Sequence, residues 1–502
     1  MERLSKAYAT LFARGICCAG NTPRGVDLGI RLVSRKIVLQ LLHAILTRES
    51  DMVSRHRRVI TGFASILTLA LGEAHGAGFA LIEQSASGMG NAYAGAGASA
   101  EDASTIFFNP AGLTYLQGNQ VAVAGHVVKP SAEFSGTSTN PQGIPVSGGD
   151  GGDAGTTGLV PNLYYSRQLP NGFVFGLGVN APFGLKTEYD SDWRGRYQAI
   201  ESEVRSININ PSIAYKAAQN LSVGVGVNIQ YIEAKLSQAV NQLLACVGAA
   251  RAQDPTLDVT AAQTICAAAG LTTAGDATAE IEGDDWSLGY NFGLMYDFAP
   301  GTRAGLAYRS KVKQELEGNA SFANAHAFFS PIGILVPTRA RADVTLPESV
   351  SLSLYHDISD RWAILADVSW TRWNRFQELR VDFASNQPDS VTTEDWTNSV
   401  RYALGVNYRH NSAWLLRTGV AFDEEPIPSA ERRTPRIPGN DRTWLAVGAN
   451  YRYSSALSFD IGYAHLFVDD TPINHTDTSG FTLNGTYDNA VHIFSAQANW
   501  AF

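Results

Sequence analysis

The sequence predicts an all-β protein, a 14-stranded antiparallel transmembrane β-barrel with an N-terminal hatch (plug) segment. Apolar and polar residues alternate with period two through one strand-length segment after another, as a wall requires when one face meets lipid and the other a wet interior. The connections between these segments are alternately tight and long. No segment past residue 76 offers the roughly 20 consecutive apolar residues that a membrane helix needs, so any crossing must use strands whose backbone groups are paired around a closed wall. A mean hydropathy of −0.09 is compatible with this, because half of each strand faces inward and the long loops are polar.

At the start of the chain, Arg55, Arg57 and Arg58 precede an apolar run from Val59 to Leu71, followed by Ala74, His75 and Gly76. This is the layout of a secretory signal peptide over residues 52–76, cleaved after Gly76, with Met52 as the translation start. Residues 1–51 read as an upstream extension with no folded role, the alternative being a targeting segment. Removing residues 1–76 leaves 27 basic and 42 acidic residues, which moves the net charge from −9 to −15. A nucleic-acid groove depends on clustered positive charge, so that partner class is excluded.

Residues 77–118 are rich in Gly, Ala and Ser and too broken for a long helix, yet they carry anchors such as Phe79, Ile82, Met89, Tyr93, Ile106 and Phe108. A compact hatch that plugs the barrel fits this composition; a disordered leader is the alternative. Ala77, Gly78 and Phe79 are small or apolar enough to reach a hydrophobic pocket from below.

Residues 119–502 carry the barrel, with strands expected at 119–129, 159–168, 172–180, 204–216, 221–237, 284–298, 303–317, 339–355, 361–383, 398–409, 413–423, 442–454, 457–468 and 486–502. The strand from Leu221 shows the alternation most clearly: Val223, Val225, Val227 and Ile229 oppose Ser222, Gly224, Gly226 and Asn228. An even strand number puts both ends on the short-turn side, which is periplasmic in such barrels, and leaves the long loops outside. The last strand sets Phe494, Trp500 and Phe502 on one face. A terminal aromatic there is either a signal for the barrel-assembly machinery or a girdle residue, and both place it in the outer membrane of a Gram-negative bacterium. A closed barrel has no free edge, so a monomer surrounded by outer-membrane lipid and lipopolysaccharide is expected.

Cys246 and Cys266 fall in the long loop 238–283 and form a candidate disulfide in an oxidising compartment. The loop also contains two apolar, Ala-rich runs that suit two short helices. Leu243 and Leu244 from this loop, with Phe328, Phe329 and Ile332 from loop 319–338, could form an external apolar groove; a helical lid with a private core is the alternative. No residue spacing suggests a metal or another cofactor. The histidines show no catalytic arrangement and no GxSxG occurs, so an enzyme such as an outer-membrane lipase is not expected. A general porin would need a polar constriction, which an apolar plug does not supply.

The leader AGF, the run SASGMGNAYAGAGASAEDAS, the hatch motif Asn109, Pro110 and Ala111, the stretch NAPFGLKTEYDSDWRGRYQAIES and the stretch LPESVSLSLYHDI occur in that order. In these the chain resembles the FadL-like outer-membrane transporters of long-chain fatty acids and related aromatic hydrocarbons. The resemblance implies capture of a hydrophobic molecule between external loops, transfer to an interior pocket and lateral release through a kink in the third strand, expected between residues 172 and 180. It implies that Ala77, Gly78 and Phe79 gate the pocket and that Asn109 to Ala111 shape the hatch. Through the WRGRY match, Arg194 and Arg196 become candidates for a carboxylate contact. The inward arginines Arg401, Arg409, Arg417 and Arg452 are read as structural, pairing with acids such as Asp367 and Asp460. A channel specific for uncharged aromatic or alkane hydrocarbons is the competing expectation, needing no charged partner.

Overall fold

The computed structural model describes residues 78–272 and 275–502. The expected extension 1–51, the signal segment 52–76 and Ala77 lie outside the described residues. The described strands are β1 (Gln120–Thr139), β2 (Gly158–Gln168), β3 (Phe173–Asn180), β4 (Gly184–Glu188), β5 (Glu201–Ala218), β6 (Leu221–Val240), β7 (Ala277–Ala299), β8 (Thr302–Arg309), β9 (Val312–Ala323) and β10 (Thr338–Leu346). They continue as β11 (Ser349–Asp357), β12 (Trp362–Thr371), β13 (Glu378–Phe383), β14 (Ser390–Thr393), β15 (Ser399–Arg409), β16 (Trp414–Asp423), β17 (Arg442–Arg452), β18 (Leu457–Val468), β19 (Thr471–Thr476) and β20 (Thr482–Ala501).

Six of these follow an interrupted neighbour in the same path across the wall: β3 with β4, β8 with β9, β10 with β11, β12 with β13, β14 with β15, and β18 with β19. The wall is therefore a 14-stranded antiparallel barrel. It closes where β1 pairs with β20 over its whole length, from Gln120↔Ala501 to Thr139↔Thr482. Closure at this seam leaves neither the first nor the last strand with an open edge in lipid, where an unpaired backbone group costs several kcal/mol.

The period-two pattern maps onto the two faces. On β6, Val225 and Val227 are 49% and 46% exposed on the outside, whereas Ser222 and Asn228 are each 1% exposed within. Aromatic pairs near the short turns, Trp362 with Tyr408, Trp414 with Tyr451 and Trp500 with Phe502, form a girdle at the membrane boundary. Tyr231 and Trp286, paired in register on β6 and β7, lie towards the opposite end.

Inside the wall the hatch folds as three single-turn helices, α1 (Ala86–Met89), α2 (Ala96–Ser99) and α3 (Thr105–Phe108), and a 3₁₀ turn, Pro110–Tyr115. Met89 and Tyr93 pack against Trp444, Leu466 and Ile493 of the wall. Inward glycines let the two backbones touch: a Cβ on Gly419 would collide with the backbone of Asn91, and one on Gly293 with the side chain of Asn109. Inward arginines then grip hatch carbonyls. Arg303 donates to Ala98 and Ser99, Arg309 to Phe107, and Arg401 to Ala92. Arg417 bridges Glu101 of the hatch and Asp460 of the wall, and Arg409 pairs with Asp357. Asp367 accepts instead from Ser353 and Ser369.

Several strand limits differ from those expected. β1 runs on to Thr139 and β7 begins at Ala277. These extensions rise past the aromatic girdle, where the outer face meets water and the inner face packs under the external loops through small or polar residues as well as Phe134, so period two fades from the sequence. The third-strand break falls at residues 181–183, just beyond the expected range.

Candidate functional site

The break after β3 is built by one proline and one extra residue. Asn180 pairs with Asn208 and Gly184 with Arg205, so Ala181, Pro182 and Phe183 stand opposite only Ser206 and Ile207 of β5. Pro182 has no N–H to give the ladder. Ser206 patches it: its Oγ accepts from the Phe183 N–H at 2.9 Å and donates to the Phe183 carbonyl at 2.6 Å. On the other side, β2 pairs with β3 only from Leu163↔Val179 to Gln168↔Val174, leaving Gly158 to Asn162 of β2 without a β3 partner. The wall is thus open between β2 and the break.

The N-terminal segment docks on this break as a short antiparallel strand. The Leu81 N–H donates to the Pro182 carbonyl at 2.9 Å, the Gly184 N–H to the Phe79 carbonyl at 3.0 Å, and Gln84 Nε2 to the Ala181 carbonyl at 2.9 Å. Phe79 is thereby placed in an aromatic box. Its ring lies 4.9 Å from Trp373, 5.9 Å from Phe183, and 6.0 Å from both Phe376 and Trp396. Gly78 lies against two of the same rings at φ +54°, and a Cβ there would sit 2.7 Å from Trp396 and 2.8 Å from Trp373.

A cavity of about 1030 Å³ surrounds this segment. Its lining joins interior residues, Phe79, Trp373 and Trp444 among them, to Leu159, Ile207 and Phe292 on the outer face, of which Leu159 is 71% exposed. The space therefore connects the barrel interior with the lipid-facing side at the opening.

Nine charged residues line the cavity, and four of them, close enough to interact, form a group on its inner side. Arg401 stands opposite Asp423 in the β15–β16 register, and Asp423 opposite Arg442 in the β16–β17 register, which sets Arg401, Asp423 and Arg442 in a row across three strands. The fourth is Glu83, 6% exposed, from the N-terminal segment. Burial pushes its carboxyl up to about 7, against the opposing pull of Arg442 and Arg401 and with a smaller push from Asp423. Arg401 is equally buried and lies 5.1 Å over the Trp444 ring. Its Nη2 serves Ala92, while Nε and Nη1 have no hydrogen-bond partner among the described residues.

The sequence-predicted residues divide between this cavity and other places. Gly78 and Phe79 line it. Asn109 clamps the hatch from beside it, donating to the Gly97 and Leu294 carbonyls at 2.8 and 3.0 Å and capping the 3₁₀ turn through the Ala111 N–H. Pro110 starts that turn, where a missing N–H costs nothing.

Arg194 and Arg196 do not line the cavity. Arg194 pairs with Asp150 at 3.2 Å and donates to the Gly136 and Gly149 carbonyls. Arg196 pairs with Asp276 at 2.9 Å and donates to the Ser147 carbonyl at 2.8 Å. Both tie external loops to one another.

In the long loop, α4 (Gln242–Gln253) and α5 (Val259–Ala268) are joined by a Cys246–Cys266 disulfide. Their shared core includes Phe329, fully buried, with Leu243, Phe328 and Ile332 half-buried around it. Leu244 turns away to pack near Tyr197 and Phe481.

Sequence reasoning missed Trp373, Phe376, Trp396, Glu83 and Arg442. A signal existed for Glu83, the one charged residue in the otherwise apolar run GFALIEQ. The box aromatics sit in irregular backbone, where no period marks a face.

A family model described as outer membrane protein transport protein (OMPP1/FadL/TodX) matches residues 67–502. The long-chain fatty acid transport protein of Escherichia coli (strain K12) is 30% identical over 409 residues, covering 80% of this chain and 90% of its own. Outer membrane protein P1 of Haemophilus influenzae is 30% identical over 461 residues, covering 88% and 98%. A crystal structure of a Pseudomonas aeruginosa FadL homologue matches with a TM-score of 0.76 at 25% identity, over 85% of this chain and 100% of that one. The P. putida toluene transporter TodX shares the fold, with a TM-score of 0.60 at 18% identity over 86% and 99%.

Proposed function

The chain belongs to the OMPP1/FadL/TodX family of outer membrane transport proteins, and from that premise we propose that its cargo is a long-chain fatty acid or a similar amphiphile. Transport of hydrophobic molecules through the barrel is the common activity. The cargo is captured at the external loops, passes into the cavity beside Phe79 and leaves sideways at the break. One observation carries this reading: the cavity joins a buried aromatic box to the lipid-facing side and has a charged row along its inner wall. Each buried CH₂ is worth roughly 0.8 kcal/mol, so an acyl chain resists release into periplasmic water and favours an apolar path into the membrane. The disulfide-linked helices and the Phe328–Ile332 turn share one core, so the external groove would form along the outside of this cap. Arg194 and Arg196 hold the loops around it rather than the carboxylate. The barrel works as a monomer, is inserted by the assembly machinery and is surrounded by lipopolysaccharide outside.

A second reading has its own support. Phe79 is an aromatic ring seated in an aromatic box, and a free monoaromatic hydrocarbon would fit where that ring sits. Equilibrium binding of radiolabelled oleate to the refolded protein, with toluene as competitor, separates the two. Tight oleate binding that toluene does not displace supports the fatty-acid reading. Weak oleate binding displaced by toluene would replace it with a hydrocarbon channel.

A further inference from the structure

Three basic side chains meet on the outer face of the wall, outside the cavity. His465 of β18 stands directly opposite His492 of β20, and His492 stands opposite Lys129 of β1. They share the outward parity of their strands with the exposed Phe467, Phe494 and Val127. The row marks a level. Towards the short turns the next outward residues are Tyr463, Phe494 and Val127, whereas on the other side β1 turns polar with Ser131 and Glu133. From Trp500 in the girdle to His492 the strand covers about 26 Å at ~3.3 Å per residue, or about 20 Å across the membrane at a tilt of about 40°. The apolar band of such barrels is about 25 Å tall, so the row lies at its outer rim, where the head groups of the outer leaflet begin.

We propose that His465, His492 and Lys129 bind a phosphate group of outer-leaflet lipopolysaccharide and hold one such lipid beside the lateral opening. This contact stands independently of which cargo is carried. Groups of like sign directly opposite on a sheet repel, and the row holds no acid to offset them: on β17 it continues with Leu445. The nearest acids are engaged or set back. Asp153, the acid close to Lys129, accepts from the Ala132 and Gly155 N–H groups. Glu133 and Asp488 face each other further out. Tyr463 Oη lies 2.9 Å from His492 Nδ1, and the Nδ1 atoms of the two histidines are 3.4 Å apart. With the tyrosine O–H donating to Nδ1, the neutral His492 ring carries its proton on Nε2, so that N–H and the Lys129 ammonium are donors to an anion. Three basic side chains suit the three outer oxygens of a phosphate better than the two of a carboxylate. Placement selects a lipid phosphate over a soluble one. Lys129 follows Val128↔Gly158, the last pair of the β1–β2 ladder, and Gly158 and Leu159 line the cavity where it reaches the outer face. Acyl chains below a phosphate held there would run down Phe494, Tyr463 and Val127, the apolar wall on the β1 side of the gap.

The test uses the full refolded chain in detergent with two probes, phosphorylated lipid A and the same lipid A after enzymatic removal of its phosphates. Retained lipid is counted by native mass spectrometry, and circular dichroism confirms that each variant is folded. The parent should hold the phosphorylated probe roughly tenfold more tightly than the other, the size of one charge-assisted hydrogen bond. Lys129→Gln and His492→Gln should each weaken the phosphorylated probe several-fold and leave the dephosphorylated one unchanged. Arg341→Gln, which removes an exposed positive charge from β10 on another part of the wall, should alter neither. Equal affinity of the parent for both probes would overturn the proposal. So would a loss in Arg341→Gln as large as in Lys129→Gln, because the attraction would then be general. Oleate as a competitor tests the other anion at this level: displacement of phosphorylated lipid A by oleate in the parent, with oleate binding lost in Lys129→Gln, would assign the row to departing cargo instead.

Discussion

Gly78 and Phe79 act as a pair in which one residue makes room and the other fills it. At φ +54° and with two indole rings inside 3 Å of any added Cβ, Gly78→Ala must shift the segment. It is expected to undock residues 78–81, measured as faster hydrogen exchange there with an unchanged barrel. Phe79→Ala acts oppositely on space, since it empties the box without moving the backbone. Aromatic-to-alanine truncation costs roughly 3–5 kcal/mol in a packed core; the expected result is lower stability of the docked segment and faster uptake of a hydrophobic probe. Glu83 adds a pH dependence. Its docked carboxyl is raised to about 7 by burial, so the docked state holds a proton that the released state has lost above its ordinary value of 4.5. The stabilisation is fully present below pH 4.5 and disappears as the pH rises through about 7. Protection of residues 78–85, taken relative to the intrinsic exchange rate at each pH, should therefore fall between pH 5 and pH 8, and Glu83→Gln should flatten that curve. Equal pH dependence in parent and variant would assign the effect elsewhere.

Among the elements, legibility followed the environment on each face. Strands such as β6, β16 and β17 were readable because lipid lies on one side and hatch or water on the other, so Val225 and Asn228 could not exchange roles. The β1 extension to Thr139 and the outer end of β7 were not, since their outer faces meet water and their inner faces, buried under the external loops, are built largely from small residues such as Ala132, Ser138, Ala277 and Ala279. The β3–β4 break was half legible: Pro182 forbids a continuous ladder, but only the β5 partner shows that Ser206 repairs it. The site was less legible than the fold. Trp373 and Trp396 lie far apart in sequence and meet only because irregular segments beside β12 and β15 fold inward. The α4–α5 cap was anticipated from its two cysteines, and its disulfide closes a loop of 20 residues. A cross-link over a loop of that size contributes about 3 kcal/mol in the chain-entropy picture. Cys246→Ser with Cys266→Ser should leave barrel unfolding unchanged and speed tryptic cleavage after Arg251, which sits at the end of α4.

Across the whole molecule, wall and plug are separable in their stabilising forces. Every pairing that closes the barrel, β1 to β20 included, lies within the wall, whereas the hatch is held by arginine and asparagine side chains and by contact with inward glycines. A substitution that fills one of those glycines should therefore unseat the plug without opening the barrel. Gly419 is the sharpest place to ask, because the Asn91 backbone rests on it and its strand neighbours Thr418 and Val420 point the other way. Gly419→Val is expected to give a folded barrel that conducts ions and admits small polar solutes, with single-channel conductance in planar bilayers as the measurement. Val420→Phe, one position along and facing lipid, adds comparable bulk and should conduct no more than the parent. Should both variants stay closed, the hatch would have to be tolerant of displacement and the seal would lie in the external cap; should both conduct, the wall itself would be the weak part. Only the asymmetric result fits a plug that leans its backbone on a glycine-lined wall.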